Sequence, residues 1–567
     1  MTSKSKKILI ILVLVFALFA GTVYFIGKAI GKLYSGTPTI TSDTLVEVSF
    51  NRPVKERAPL MPFKKIVPFH KIINALYNIP DDDKVKGVLV LGNSLPLDVA
   101  QKEELRQALE TIIESGKPVY FYYDQIGMNY FTVPKGAKVV MHPTPGRYVA
   151  LKGYYTAQPF FRTMLEEKLG IKFNVVHIGS YKGAGEPFVR DSMSKYLRQE
   201  LTELLESFWD NISSMISEAR GFNKEEFEKN LYDGKYFFIT KEEAKKLGFV
   251  DEFKTKYEIE DKYDSVVSIT KYAKSLASSS LGTNPIALIV AEGEIVMGSE
   301  QPSMFGGDKN IIASDTMCNI IRRAADNDSV KVIVLRVNSP GGSALASELI
   351  NRELKKAAKK KPVIVSVGYM AASGGYYISC GGDYIIADRN SIVGSIGVVS
   401  MIPEITGLSK KIGINFDEIK KGKYADFLSP FKQASPEETE LLKNDMLDIY
   451  GLFKQRVAEA RKLDLNYVES IAQGRIYAGT KGLKIKLVDK IGTLHDALLE
   501  AKKRAKLSST KYTVFSAKKS FWELLQEDFG AKTSIDSLVK EKINKVLKIS
   551  GKPLLIEPAL ADFSVEE

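Results

Sequence analysis

Pro362-Val-Ile-Val-Ser-Val367 runs directly into Gly368-Tyr-Met-Ala-Ala-Ser373-Gly-Gly-Tyr-Tyr377. The first part is a short β-branched run behind a proline, the pattern of a strand buried on both faces. The second part delivers a serine among small residues, with no histidine or cysteine beside it. Outward from this point, Ile286-Ala-Leu-Ile-Val290 and Val330-Lys-Val-Ile-Val-Leu335 read as further buried strands. The amphipathic stretches Thr316 to Asp326, Ala344 to Lys359 and Ser435 to Lys462 read as helices. This alternation predicts an α/β fold built on a mostly parallel, helix-covered sheet.

The chain also matches itself. Asp83-Lys-Val-Lys-Gly-Val-Leu-Val-Leu91 aligns with Asp328-Ser-Val-Lys-Val-Ile-Val-Leu335, and Gly116-Lys-Pro-Val119 with Lys360-Lys-Pro-Val363. Further on, Gly170-Ile-Lys-Phe173 aligns with Gly413-Ile-Asn-Phe416, Gly234-Lys-Tyr236 with Gly474-Arg-Ile-Tyr477, and Leu247-Gly-Phe-Val-Asp251 with Ile485-Lys-Leu-Val-Asp489. Matches in one order and spacing mean a tandem repeat. The expected layout is an anchor at 1–38, a first α/β repeat at 39–270, a linker at 271–285, a second repeat at 286–505 and a tail at 506–567. The linker reading rests on the small and polar residues from Ala273 to Pro285. The tail carries amphipathic stretches at Phe521 to Phe529 and Ile535 to Leu547.

The two copies differ where chemistry is expected. After a strand, the second copy reads Arg336-Val-Asn-Ser-Pro-Gly-Gly-Ser343, whereas the first reads Leu91-Gly-Asn-Ser-Leu-Pro-Leu97. Paired glycines let backbone N–H groups approach a ligand, and such groups can hold a developing oxyanion. Gly341, Gly342 and Gly374 are the candidates. The first copy has Asp124-Gln-Ile-Gly-Met-Asn-Tyr-Phe131 in the region of Ser373, with no hydroxyl where that serine aligns. The lysine reverses the pattern, because Gly179-Ser-Tyr-Lys182 stands against Gly422-Lys-Tyr-Ala425. Reciprocal losses are expected if two once-equivalent units share one site, with Ser373 from one and Lys182 from the other. His177, close before Lys182, is an alternative base.

The net charge of +12 comes from scattered lysines, which read as solvated helix faces and not as a nucleic-acid surface. Cys318 and Cys380 cannot form a disulfide framework, and Cys380 reads as a packed thiol. No metal-ligand spacing and no cofactor motif is present in the sequence. Residues 8–26 are uncharged and mostly apolar behind Lys4, Lys6 and Lys7. At 1.5 Å per residue such a run nearly spans a hydrocarbon core of about 30 Å. The expectation is an uncleaved transmembrane anchor with the large domain outside the cytoplasm. A cleaved signal is the alternative.

Val337-Asn-Ser-Pro-Gly-Gly342, Ala371-Ala-Ser-Gly-Gly-Tyr376, Gly394-Ser-Ile-Gly397 and Tyr181-Lys182 with Glu186-Pro-Phe188 together resemble the signal peptide peptidase A family in its long, membrane-anchored form. The resemblance implies two tandem Clp-protease/crotonase-like repeats and a homotetramer in a bacterial cytoplasmic membrane. It implies a serine endopeptidase acting on hydrophobic peptides such as remnant signal peptides, with Ser373 as nucleophile, Lys182 as general base and Ser395 hydrogen-bonding the base. Membrane lipid is an expected partner; nucleic acid is not. Lys486-Leu-Val-Asp489 departs from the family pattern, away from these residues. The other classes to weigh are a crotonase-like acyl-CoA hydratase or hydrolase and a non-catalytic membrane scaffold. No catalytic carboxylate or nucleotide motif recommends the former.

Overall fold

The structure is a computed structural model and describes residues 40–57, 66–276, 284–300, 310–517 and 554–556. In the first half the strands are β1 (Thr44–Val48), β2 (Val85–Leu91), β3 (Val119–Tyr123), β4 (Lys138–Met141), β5 (Val149–Ala150), β6 (Lys172–Ile178), β7 (Phe237–Ile239), β8 (Glu252–Phe253) and β9 (Ser265–Ser268). Six of them form a wholly parallel sheet in the order β8-β4-β3-β2-β1-β9. β5 and β7 pair separately.

The second half begins with β10 (Ile286–Glu292), β11 (Glu294–Val296), β12 (Ile311–Ala313), β13 (Val332–Ser339), β14 (Gly341–Ser343) and β15 (Val363–Ala372). β16 (Tyr384–Ala387), β17 (Ile392–Gly394), β18 (Val398–Glu404), β19 (Ile476–Ala478), β20 (Lys490–Ile491) and β21 (Tyr512–Phe515) follow, and β22 (Leu554–Ile556) comes last. Its main sheet contains the parallel run β20-β16-β15-β13-β10-β21, and β17 also pairs with β15 and carries β19 antiparallel at its far side. Taken from β9 and from β21, the two sheets show the same strand order. Every residue of β10 is buried, which explains the unbroken apolar run Ile286–Ala291 that precedes Glu292. The expected helices form at Ser314–Asp326, Ala344–Ala358 and Pro436–Arg461. The last is started by a Ser435–Glu438 capping box and Pro436 in its first turn.

A third sheet, in the order β12-β11-β14-β22-β18-β6, stitches the halves together. β6 comes from the first half, yet it pairs antiparallel with β18 along its whole length. The helix Lys195–Arg220 follows it across: Leu204 and Phe208 pack with Met370, Ala372, Ile392, Ile476 and Ala478. A buried ion cluster also joins the two halves. Arg336, mid-strand in β13 and 0% exposed, bonds Glu56 at 3.0 Å, Ser366 Oγ at 3.0 Å and also Glu104. Burial outweighs Arg336 and pushes the Glu104 carboxyl up to about 7.

Two expected boundaries move. Residues 269–276 are a helix, so the linker starts later than 271. Ile269 and Tyr272 are buried, and Tyr272 donates to Asp82 at 2.9 Å. The alanines and serines that suggested a linker hide this apolar face. At the other end, β21 pairs with β10 as β9 pairs with β1, so the second sheet extends past 505. The expected anchor and the two amphipathic tail stretches lie outside the described residues. Among the described residues, no helix is long and apolar enough to cross a membrane.

Candidate active site

Ser373 follows β15 and precedes the helix Gly374–Ser379. Its φ of 53° is left-handed, a strained conformation for a side-chain-bearing residue that costs on the order of 1–3 kcal/mol. The turn is held by a hydrogen bond from Ser373 N–H to Gly394 O at 2.8 Å. Glycine is required next to it: a Cβ at Gly374 would lie 2.6 Å from Ser347 Oγ, and one at Gly375 2.5 Å from Ser339 O. The small residues around Ser373 thus let a strand turn sharply into a helix against neighbouring backbone.

Lys182 is supplied by the turn after β6 and is 2% exposed. Its Nζ lies 3.0 Å from Ser373 Oγ and 2.6 Å from Ser395 Oγ, with Ser395 O at 3.4 Å. Ser395 is also left-handed, with φ 53°, and donates its N–H to Arg475 O at 2.7 Å. Three residues from distant parts of the chain therefore meet in one buried polar group. His177 does not join it. That ring is exposed on β6, and its Nδ1 is 3.0 Å from Gly179 O.

The segment Gln473-Gly474-Arg475 fixes the lysine turn to the Ser395 turn. Gln473 O accepts from Tyr181 N–H at 2.8 Å and its Oε1 from Ser180 N–H at 3.1 Å, while Gly474 N–H donates to Ile396 O at 2.8 Å. Gly474 has φ +82°, and a Cβ there would lie 2.6 Å from Lys182 N. From the other side, a Cβ at Gly179 would lie 2.5 Å from the Gln473 carbonyl carbon. Nothing in the sequence marks Gln473, Gly474 or Arg475 as functional. Gly474 served there only to align the repeat. Glu186, in the lysine motif, accepts from both Ser194 N–H (2.8 Å) and Ser194 Oγ (2.6 Å), tying the lysine turn to the start of the helix Lys195–Arg220.

Of the candidate oxyanion donors, Gly341 N–H donates to Ser339 Oγ at 3.2 Å. Gly342 N comes within 3.1 Å of where a Cβ on Gly374 would stand, so these two backbones converge beside Ser373. Both cysteines are free; Cys380 is buried, and burial pushes its thiol up to about 12.

Fold and relatives together define a serine protease. The chain belongs to peptidase family S49, whose family model matches residues 111–269 and 355–508, and within it to the signal peptide peptidase A group. It is 31% identical to Protease 4 of Haemophilus influenzae over 76% of this chain and 72% of that protein. It is 30% identical to Protease 4 of Salmonella typhi over 84% of this chain and 78% of that one. The chloroplastic serine protease SPPA of Arabidopsis thaliana is 32% identical over 76% of this chain and 64% of its own length.

Proposed function

We propose that the chain is a membrane-anchored endopeptidase in which Ser373 is the nucleophile and Lys182 the general base, and that it cuts hydrophobic peptides such as remnant signal peptides. The observation that carries this is the 3.0 Å approach of the Lys182 amine to Ser373 Oγ in a buried setting. A serine hydroxyl is a weak nucleophile until a base takes its proton. A lysine serves only as the neutral amine, which removal from water favours. Ser395 Oγ fixes the direction of the amine without placing a negative charge beside it. Ser373 Oγ attacks the peptide carbonyl as its proton passes to Lys182 Nζ. The carbonyl oxygen, now negative, is held by the N–H groups of Gly342 and Gly374. Lys182 then protonates the leaving amine and, once a water has entered, activates it to release the acyl group.

The two sheets are read as copies of one Clp-protease/crotonase-like unit, fused so that one keeps the serine and the other the lysine; their common strand order supports this. Anchoring through residues 8–26, a catalytic domain outside the cytoplasm of a bacterium and assembly as a homotetramer belong to the same proposal. An active-site acylating probe tests its chemistry. Labelling should map to Ser373 and vanish in S373A; label at any other residue overturns the assignment.

A further inference from the structure

The peptide unit that joins Arg475 to Ile476 is hydrogen-bonded at both ends. Its carbonyl oxygen accepts from Ser395 N–H at 2.7 Å, and its N–H donates to Glu200 Oε1 at 2.8 Å. The bond is trans, so the two groups point in opposite directions, and Ser395 and Glu200 grip the unit from opposite sides. Glu200 is 2% exposed and lies in the helix Lys195–Arg220, so a side chain of the first half reaches the backbone of the second. Hydrogen bonds in series polarise one another in a buried setting.

Ser395 needs such a hold. Its φ of 53° is left-handed, a conformation that persists only where the surroundings impose it. Its Oγ is the one that stands 2.6 Å from Lys182 Nζ. The same helix is fastened to the lysine turn, because Glu186 binds Ser194 and the Ser194 hydroxyl caps Leu197 N–H at 3.1 Å. The bonds close a ring: lysine turn, Glu186, Ser194, helix, Glu200, the Arg475–Ile476 peptide, Ser395 and back to the Lys182 amine. Within that ring the helix is the rigid spacer, and Glu200 is where it meets the Ser395 side. Glu203, one turn further along, pairs with the Arg475 side chain and is half-exposed.

We propose that Glu200 is a positioning residue for the peptidase reaction, fixing the Arg475–Ile476 peptide so that the Ser395 turn presents its hydroxyl to the Lys182 amine. The proposal rests on the reading of Lys182 as the base. Loss of the carboxyl leaves the Ile476 N–H buried without its acceptor, which the backbone relieves by turning. The Ser395 hydroxyl moves with it, and a shift of about 1 Å costs on the order of 100-fold in rate. The loss falls on kcat, since what changes is the alignment of the base and not a contact with substrate.

The test measures kcat and KM of the full chain on a fluorogenic hydrophobic peptide, with circular dichroism to check the fold. E200A should lose about 10- to 100-fold in kcat with KM changed by less than about two-fold. E200Q, whose amide oxygen can still accept from Ile476 N–H, should keep kcat within about three-fold of the wild type. In an S395A background E200A should cost less than about two-fold more, because the route through Ser395 is already cut. Where E200A does not fold, E200D, one methylene short of the peptide, takes its place with the same expectations. Wild-type kcat in the truncated variant, a loss in E200Q as large as in E200A, or full additivity with S395A overturns the proposal while leaving the peptidase reading intact. Undiminished turnover by K182A overturns both.

Discussion

Gly474 presses its α-carbon against the backbone of Lys182 so closely that a methyl group there would sit 2.6 Å from the lysine nitrogen. The contact joins the two halves of the chain at the turn that aims the amine. Its counterpart in the repeat alignment, Gly234, has the same handedness, φ +71°, but nothing within 4 Å of a Cβ position.

That difference separates strain from displacement. Alanine at either glycine costs on the order of 1 kcal/mol for the left-handed backbone. G474A must also push Lys182 aside, and a shift of about 1 Å costs on the order of 100-fold in rate. G234A should therefore lower the thermal midpoint slightly and keep kcat, whereas G474A should lose about 100-fold in kcat while remaining folded. Equal kcat in the two variants would show that Gly474 does not position the lysine.

The proposed pair predicts a particular mutational pattern. S373A removes one oxygen and should abolish cleavage with the fold retained. K182A should do the same. K182R should not rescue, because a guanidinium stays protonated. Circular dichroism checks the fold, and peptide turnover the chemistry. Near-normal turnover by K182A would return the base assignment to His177.

The buried cluster at the junction gives a pH signature. Folding raises the Glu104 carboxyl to about 7, above the roughly 4.3 of a free glutamate. A raised carboxyl contributes stability that is fully present below about 4.3 and is lost as pH climbs through about 7. The thermal midpoint should therefore fall between pH 5 and pH 8, and the fall should be shallower in E104Q. Glu348 acts in a different window. Although burial opposes ionisation, bonds from Arg456, Tyr377 and Arg352 hold it down at about 2, so its contribution is present above about 4.3 and disappears only toward strong acid. A wild-type midpoint that is flat from pH 5 to pH 8 would contradict the Glu104 account.

The parts legible in the sequence were those written in local pattern. β10 announces itself by an apolar run, β13 and β15 by short runs rich in β-branched residues, and the helix Pro436–Arg461 by its amphipathic pattern. Ser373 was legible because only small residues fit its turn. What stayed hidden depends on contacts between remote segments. Nothing in Lys172–Ile178 says that its partner is β18, because strand pairing is set by tertiary register. The same holds for Gly474, which is a repeat landmark in sequence and a clamp in space, and for Leu554–Ile556, three residues too few to read as a strand. The helix Ile269–Leu276 was obscured by a composition that suits a linker.

The last expectation concerns where the two reactive groups meet. Lys182 and Ser373 belong to one chain and lie 3.0 Å apart within it, with β6 paired to β18 and the helix Lys195–Arg220 packed against Ala372. If these groups are the catalytic pair, residues 40–270 alone and 283–505 alone should each fail to cut peptides. The first lacks the serine and the second the lysine. The second would also lack β6, which pairs with β18, and β21, which pairs with β10. Mixing S373A chains with K182A chains separates a site within the chain from one shared between subunits. Co-assembled mixed oligomers should stay inactive, since every chain carries one defect in its own pair. Recovery of a substantial fraction of wild-type turnover would mean that neighbouring subunits exchange Lys182, and turnover by the isolated second half would mean that no lysine from the first half is needed at all.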